Sequence, residues 1–316
     1  MRPSVRCWPG LVIAIAMAGT PALEGATASG VFVSAEGEGT VAVVDPVSLR
    51  TVASIKVGAR PHNLAPLGGN LLLVATQGAR EISVIDTRAR RELRRIRLDA
   101  APHDVWGSAD GRRAHVLSAE GLLVVLDGLT WEVLQRQRLG GRPHDLVVFH
   151  GSIWITDIGL RSLSIVPDQI DVRPTSLALP VTGHDIAIRP GTNELWVTPW
   201  SGNEVAIVDA RTRTVAGVIK VGRRPQHPAF SPDGREAWIT DTGSPFVHVV
   251  DAGRRTVVGT IALGGAPHHV AVDGQRAYVA VSPSLLVVID ARRRAIIERV
   301  EVGRDPHDIV IHAVSQ

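Results

Sequence analysis

The chain has 316 residues, with 34 Lys and Arg against 31 Asp and Glu and a formal charge of +3. So even a balance, with no block of like sign, gives weak support to nucleic-acid binding, and no nucleic-acid partner is expected. Its one cysteine, Cys7, sits in the N-terminal leader, so the rest of the chain has no disulfide, thiolate metal site or cysteine nucleophile.

The leader reads Arg2, Arg6, the apolar LVIAIAMAG at 11–19, then Ala26-Thr27-Ala28. A basic start, a short apolar run and an A-x-A end make a secretory signal peptide. Residues 1–28 are expected to be removed, leaving 29–316 as one domain. No later apolar run reaches about 18 residues, so no membrane insertion is expected. Ser4, Val5 and Arg6 ahead of Cys7 make no lipobox. The product is expected to be exported, periplasmic or secreted, and monomeric.

From residue 31 onward the chain repeats. One column is a turn followed by a polar pair: RPHNL (60–64), APHDV (101–105), RPHDL (142–146), TGHDI (182–186), RPQHP (224–228), APHHV (266–270) and DPHDI (305–309). The histidines His62, His103, His144, His184, His227, His268 and His307 lie 41, 41, 40, 43, 41 and 39 residues apart. A second column is headed by an aromatic or aliphatic residue, as in WITD (154–157), WVTP (196–199) and YVAV (278–281). A third ends in aspartate, as in VVD (43–45), VID (84–86) and IVD (207–209), and the fourth unit breaks it with SIVPD (164–168). A fourth closes each unit, as in TVASIKVG (51–58) and TVAGVIKVG (214–222).

Four short Val- and Ile-rich runs per unit, parted by Gly, Pro, Asp and Asn, are strand-and-turn patterning. No segment holds a 3.6-residue period, so helices should be scarce. Four strands in about 40 residues, repeated seven times, specify an all-β, seven-bladed β-propeller with four antiparallel strands per blade. The chain opens on a second-column strand (31–35) and ends on a first-column strand (309–313). The C-terminal strand should therefore complete the first blade, which removes free sheet edges. The arginine runs at 88–95 and 292–294 are expected on solvated outer strands and turns.

FSPDGREAWIT (230–240) and VDGQRAYVAV (272–281), with the VID and IxVG runs that follow, resemble the YVTN β-propeller repeat family. The resemblance covers 29–316 and implies the propeller fold, but that family does not require a histidine after the proline. The histidines must carry the functional argument.

In a propeller the first strand of each blade lines the central channel, and the turn entering it lies on the top face. The seven histidines should therefore meet at one mouth. Neighbouring strand residues point to opposite sides, so two slots compete for the channel. The first holds His62, His103, His144, His184, Gln226, His268 and His307; the second holds Asn63, Asp104, Asp145, Asp185, His227, His269 and Asp308. The first would give an imidazole-rich site suited to copper or zinc, the second a mixed site suited to manganese, iron or zinc. Copper is favoured, with His269 and a bulged His227 joining the ring. Asp104, Asp145, Asp185 and Asp308 are expected to orient the rings by accepting hydrogen bonds from the ring nitrogens that face away from the metal. A plainer alternative stays open: each histidine could hydrogen-bond across a blade junction, as the structural histidine of WD-repeat propellers does.

The adjacent pair His268-His269 also resembles the axial histidines of the nitrous oxide reductase propeller, which carry a copper-sulfide cluster. This chain lacks that enzyme's cupredoxin domain and its cysteines, which speaks against nitrous oxide reduction. Thiocyanate dehydrogenase is a further copper propeller of similar plan but greater length. Trp200, in PWSGNE (199–204), is a possible pocket wall, and the loops AEGEG (35–39) and DTGSP (241–245) share its face. Trp154, Trp196 and Trp238 share a core column, while His115, His150, His248 and His312 fall outside the ring slots.

No phosphate loop, HExxH or nucleophile elbow is present. Three readings follow. The first is a transition-metal propeller for redox chemistry or metal handling. The second is a non-enzymatic scaffold whose top face takes a protein or a cofactor such as a tetrapyrrole. The third is a metal-assisted lyase or hydrolase. In each, a small molecule or partner protein would meet the top face.

Overall fold

The computed structural model describes residues 28–169 and 172–313. The signal peptide expected at 1–28 lies outside them, Ala28 apart. Among the described residues, 28 strands form seven four-stranded antiparallel sheets, and the only helix is a single 3-10 turn at Gln77–Ala79. This is the seven-bladed propeller that the repeats specify. No described helix is long and apolar enough to cross a membrane.

The second and third strands of each blade bury residues on both faces, as in Leu71–Thr76 and Glu81–Asp86. Each blade lies between two others, so these strands read as unbroken apolar runs rather than alternating ones. The outermost strands, such as Thr214–Lys220 and the arginine-rich Arg91–Arg97, are largely exposed. Trp154, Trp196 and Trp238 are fully buried between blades, as their shared column requires.

The recurrent aspartate of the third column caps a turn. Asp86 Oδ1 accepts the N–H groups of Arg88 and Ala89 at 2.9 and 2.8 Å, and Asp209 repeats this with Arg211 and Thr212. Four residues after these aspartates the backbone turns left-handed, at Arg90 (φ 52°) and Arg213 (φ 54°). In the fourth unit the frame slips, and Asp168 instead contacts Arg113 Nη1 at 2.9 Å and His115 Nε2 at 3.0 Å.

The ring closes as expected. The C-terminal strand Pro306–Ala313 pairs with Ala28–Ala35, setting Val31 against Ile311 and Val33 against Ile309. First and last segments thus share one sheet and leave no open edge between them.

Candidate metal centre

The innermost strands begin at Pro61, Pro102, Pro143, Gly183, Pro225, Pro267 and Pro306. Each carries one extra residue just after that start: Pro61 pairs with Thr76 but Leu64 pairs with Val74, and all seven blades repeat the shift. This is a β-bulge, which bends the strand and re-aims its side chains. It brings both residues of each polar pair to the axis, so neither slot excludes the other.

The bulge leaves the second residue's N–H without a ladder partner, and a hydroxyl supplies one. Ser34 Oγ accepts Asp308 N–H at 2.9 Å and donates to His62 O at 2.7 Å, linking two blades. Thr156, Thr198 and Thr240 do the same for Asp145, Asp185 and His227. The sequence reading missed these hydroxyls, although their second-strand column is visible in FVSA, WITD and WVTP.

First-slot histidines form an upper ring. Centroids step from His307 to His62 (3.8 Å), His103 (4.2 Å), His144 (4.4 Å) and His184 (4.0 Å), with His268 at 5.5 Å from His307. The circle is broken at Gln226. There a top-face pocket of about 370 Å³ opens, lined by His184, Trp200, Arg224, Gln226 and His268. Trp200 is 45% exposed and stacks on His184 at 5.2 Å.

The second slot forms a layer beneath. Asn63, Asp104, Asp145, His227, His269 and Asp308 roof a cavity of about 800 Å³ in the channel below, whose walls include Trp106 and Leu146. His115, Asp168 and His312 also line that cavity. Three second-slot carboxylates fasten blade to blade. Asp308, Asp104 and Asp145 accept the backbone N–H of Leu64, Leu146 and Ile186 in the next blade at 2.7, 2.8 and 2.8 Å.

Asp185 differs. The matching position in its neighbouring blade is Pro228, which has no N–H to give. Four histidines surround Asp185 instead: Oδ1 is 3.2 Å from His144 Nδ1 and 3.0 Å from His184 Nδ1, and Oδ2 is 3.1 Å from His227 Nδ1 and 3.7 Å from His269 Nε2. The Nδ1 atoms of His103, His144, His184, His268 and His307 are buried with no hydrogen-bond partner. For His144 and His184, closeness to Asp185 comes without hydrogen-bond alignment.

Charge follows burial and contact. Burial, reinforced by repulsion from His269 and His144, pushes His62 down to about 3. Burial also lowers His103, His144, His227, His268 and His307, so these imidazoles are neutral at neutral pH. His269 is the exception: burial opposes its charge, but Asp308 at 2.8 Å outweighs it and raises the ring. Burial likewise opposes ionised Asp185, yet His184, His144 and His227 hold it well below the usual carboxylate range. Burial pushes Asp104 up to about 6 and raises Asp145 well above the usual carboxylate range, with Asp104 adding to the rise at Asp145. His62 Nδ1 is 2.7 Å from Asn63 Oδ1, and Asn63 Nδ2 donates to Asp104 at 2.7 Å, which ties the upper ring to the lower layer.

Among the described residues, three groups of side chains have donors close enough to share an ion: Glu36 with His62 and His307; His144 with His184 and Asp185; and Asp185 with His227 and His269. Glu36 comes from the AEGEG loop, its Oε1 3.6 Å from His62 Nε2. Of the aspartates expected to orient rings, Asp185 and Asp308 touch histidine nitrogens, whereas Asp104 and Asp145 turn to the blade junctions. His150 and His248 bond Asn193 and Thr260 away from the axis.

No family model matches this chain, and no curated protein matches it. Solved structures share its fold. The chain is similar to dihydro-heme d1 dehydrogenase NirN in complex with DHE, at TM-score 0.68 and 16% identity over 93% of this chain and 77% of that one. It is similar to a functionally unknown protein from Desulfotomaculum acetoxidans, at TM-score 0.80 and 12% identity over 90% and 99%. It is also similar to apo AztD from Citrobacter koseri, at TM-score 0.69 and 13% identity over 89% and 96%. At these identities the likeness establishes the fold alone.

Proposed function

We propose that this protein is an exported β-propeller that binds a transition metal at its axis, for metal handling or redox chemistry. The observation that carries this reading is the set of buried, unpartnered imidazole nitrogens beside Asp185. Buried polar atoms nearly always have partners, and one ion would satisfy several of these at once. Burial holds His144 and His227 neutral, so these two can bind metal without first losing a proton. Histidine and carboxylate donors without thiolate suit copper, zinc and iron, and copper(II) leads in intrinsic affinity.

Elemental analysis of the protein, exported to the periplasm and purified without chelators, tests this. We expect at least one equivalent of copper or another transition metal. That metal should be lost from a folded variant carrying His144→Ala, His268→Ala and His307→Ala. No metal after reconstitution with copper, zinc and manganese would refute the reading. N-terminal sequencing of the same sample tests cleavage after Ala28.

A second reading has its own support. Trp200 and His184 present a flat stacked face to the top pocket, and a protein of this fold was solved with DHE. A tetrapyrrole there would take His184 or His268 as an axial ligand. Titration with haem, read as a shifted Soret band absent from His184→Ala, would reveal it.

A further inference from the structure

Among the described residues, Asp185 is the one buried carboxylate at the axis with histidine nitrogens on both oxygens: His144 and His184 on Oδ1, His227 and His269 on Oδ2. Each set is two imidazoles and one carboxylate oxygen. Donors about 2.1 Å from a shared ion lie roughly 3.0–3.4 Å from one another in octahedral or tetrahedral arrangement. The separations of 3.2, 3.0 and 3.1 Å match this, and 3.7 Å is slightly long.

We infer that the axis holds two metal ions bridged by Asp185, one bound by His144, His184 and Oδ1, the other by His227, His269 and Oδ2. The inference rests on the metal-binding reading above and adds to it the number of ions and the bridge.

Three features favour a bridge over a single ion. First, Pro228 removes the backbone N–H that would otherwise hold Oδ2, as Ile186 N–H holds Asp145 Oδ2. That single residue leaves Oδ2 to an imidazole, His227 Nδ1 at 3.1 Å, rather than to a backbone N–H. Second, Asp308 holds His269 by Nδ1 at 2.8 Å, which leaves Nε2 facing Asp185. A carboxylate on the far nitrogen is how metal-bound histidines are commonly oriented. Third, the two sets come from different layers, so the pairs occupy opposite sides of the carboxylate. His227 and His269 stack at 3.9 Å, so the second ion requires one of these rings to tilt.

The test is titration of the full chain, stripped of metal, with copper(II), followed by calorimetry and electron paramagnetic resonance. Two equivalents should bind, with a half-field resonance from magnetically coupled copper ions. Asp185→Asn should abolish that resonance and the second equivalent, whereas Asp145→Asn should keep both. If Asp185→Asn fails to fold by circular dichroism, Pro228→Ala decides. Its restored N–H should compete for Oδ2, weaken the second ion about 10-fold and leave the first. One equivalent in the wild type, or two without coupling, overturns the bridge and leaves metal binding standing. A coupled pair that survives Asp185→Asn also overturns the bridge. No bound copper overturns the bridge and the copper reading together.

Discussion

His227 Nδ1 lies 3.1 Å from Asp185 Oδ2, in the place that a backbone N–H takes at three other blade junctions. The exchange is local, yet it moves one aspartate from holding blades together to facing four imidazoles. The same column of residues thus supplies both the frame and the site.

The metal-free protein should lose stability as pH falls from neutrality into acid. His62 stands at about 3 when folded against an ordinary 6.5, so between those values the unfolded chain binds the extra proton. Its contribution is complete above pH 6.5 and is lost as pH falls toward 3, worth on the order of 5 kcal/mol. Asp104 acts oppositely: at about 6 against 3.8, it favours the folded state at low pH and loses that contribution as pH rises through 6. Scanning calorimetry in chelator should show the melting temperature falling as pH drops from about 6.5 toward 3, with Asp104 offsetting part of that fall. A melting temperature that climbed steadily toward pH 4 would contradict neutral axial histidines.

Asp145→Asn should be tolerated at pH 8, and Asp145→Ala should not. The amide oxygen can still accept Ile186 N–H, and its NH₂ can donate to Asp104, which removes the need to keep a shared proton between two buried carboxyls. The alanine leaves Ile186 N–H buried without a partner, at about 1–3 kcal/mol. Urea denaturation of both variants distinguishes them. Equal losses would mean that the junction bond contributes nothing.

Trp200 should report metal binding. Its ring stacks on His184 above the gap at Gln226, so copper at the axis should quench its fluorescence. In Trp200→Phe most of that quenching should vanish while copper affinity stays within about 3-fold, because the indole offers no metal ligand. Unchanged quenching would place the ion away from this mouth.

Removing residues 305–316 should abolish cooperative folding. Val31, Phe32 and Val33 would lose their partner strand, Leu64 N–H its acceptor, and His269 its counter-ion. An unpaired apolar edge invites association between chains. Size-exclusion chromatography should show soluble aggregates, and a monomer with native near-ultraviolet dichroism would refute the role of closure.

Strand columns, blade number and closure were legible in the sequence because each depends on residues near in sequence or on a repeat. The orientation of the polar pairs was not. Strict alternation sets His62 against Asn63, and the bulge that admits both is a register shift against Ala75 and Thr76, which no local pattern of letters reveals. Pro228 was visible as a residue, but its effect depends on Asp185, 43 positions earlier. Asp104 and Asp145 were expected to orient rings because they follow histidines; their N–H partners lie in the next blade. The candidate ligands were therefore readable as a set, while their division around Asp185 emerged only once the blades were placed.

The gap at Gln226 and the cavity beneath the second layer give the axis the character of a septum with two unlike doorways. The upper one is flanked by Arg224 and capped by an indole; the lower one leads to a larger cavity walled by Trp106 and Leu146. The upper one ends on His184 and His268, the lower one on His227, His269 and the aspartates of the second layer. Whatever occupies the septum can thus be approached by a charged visitor from one side and a greasy one from the other, without either standing in the other's path.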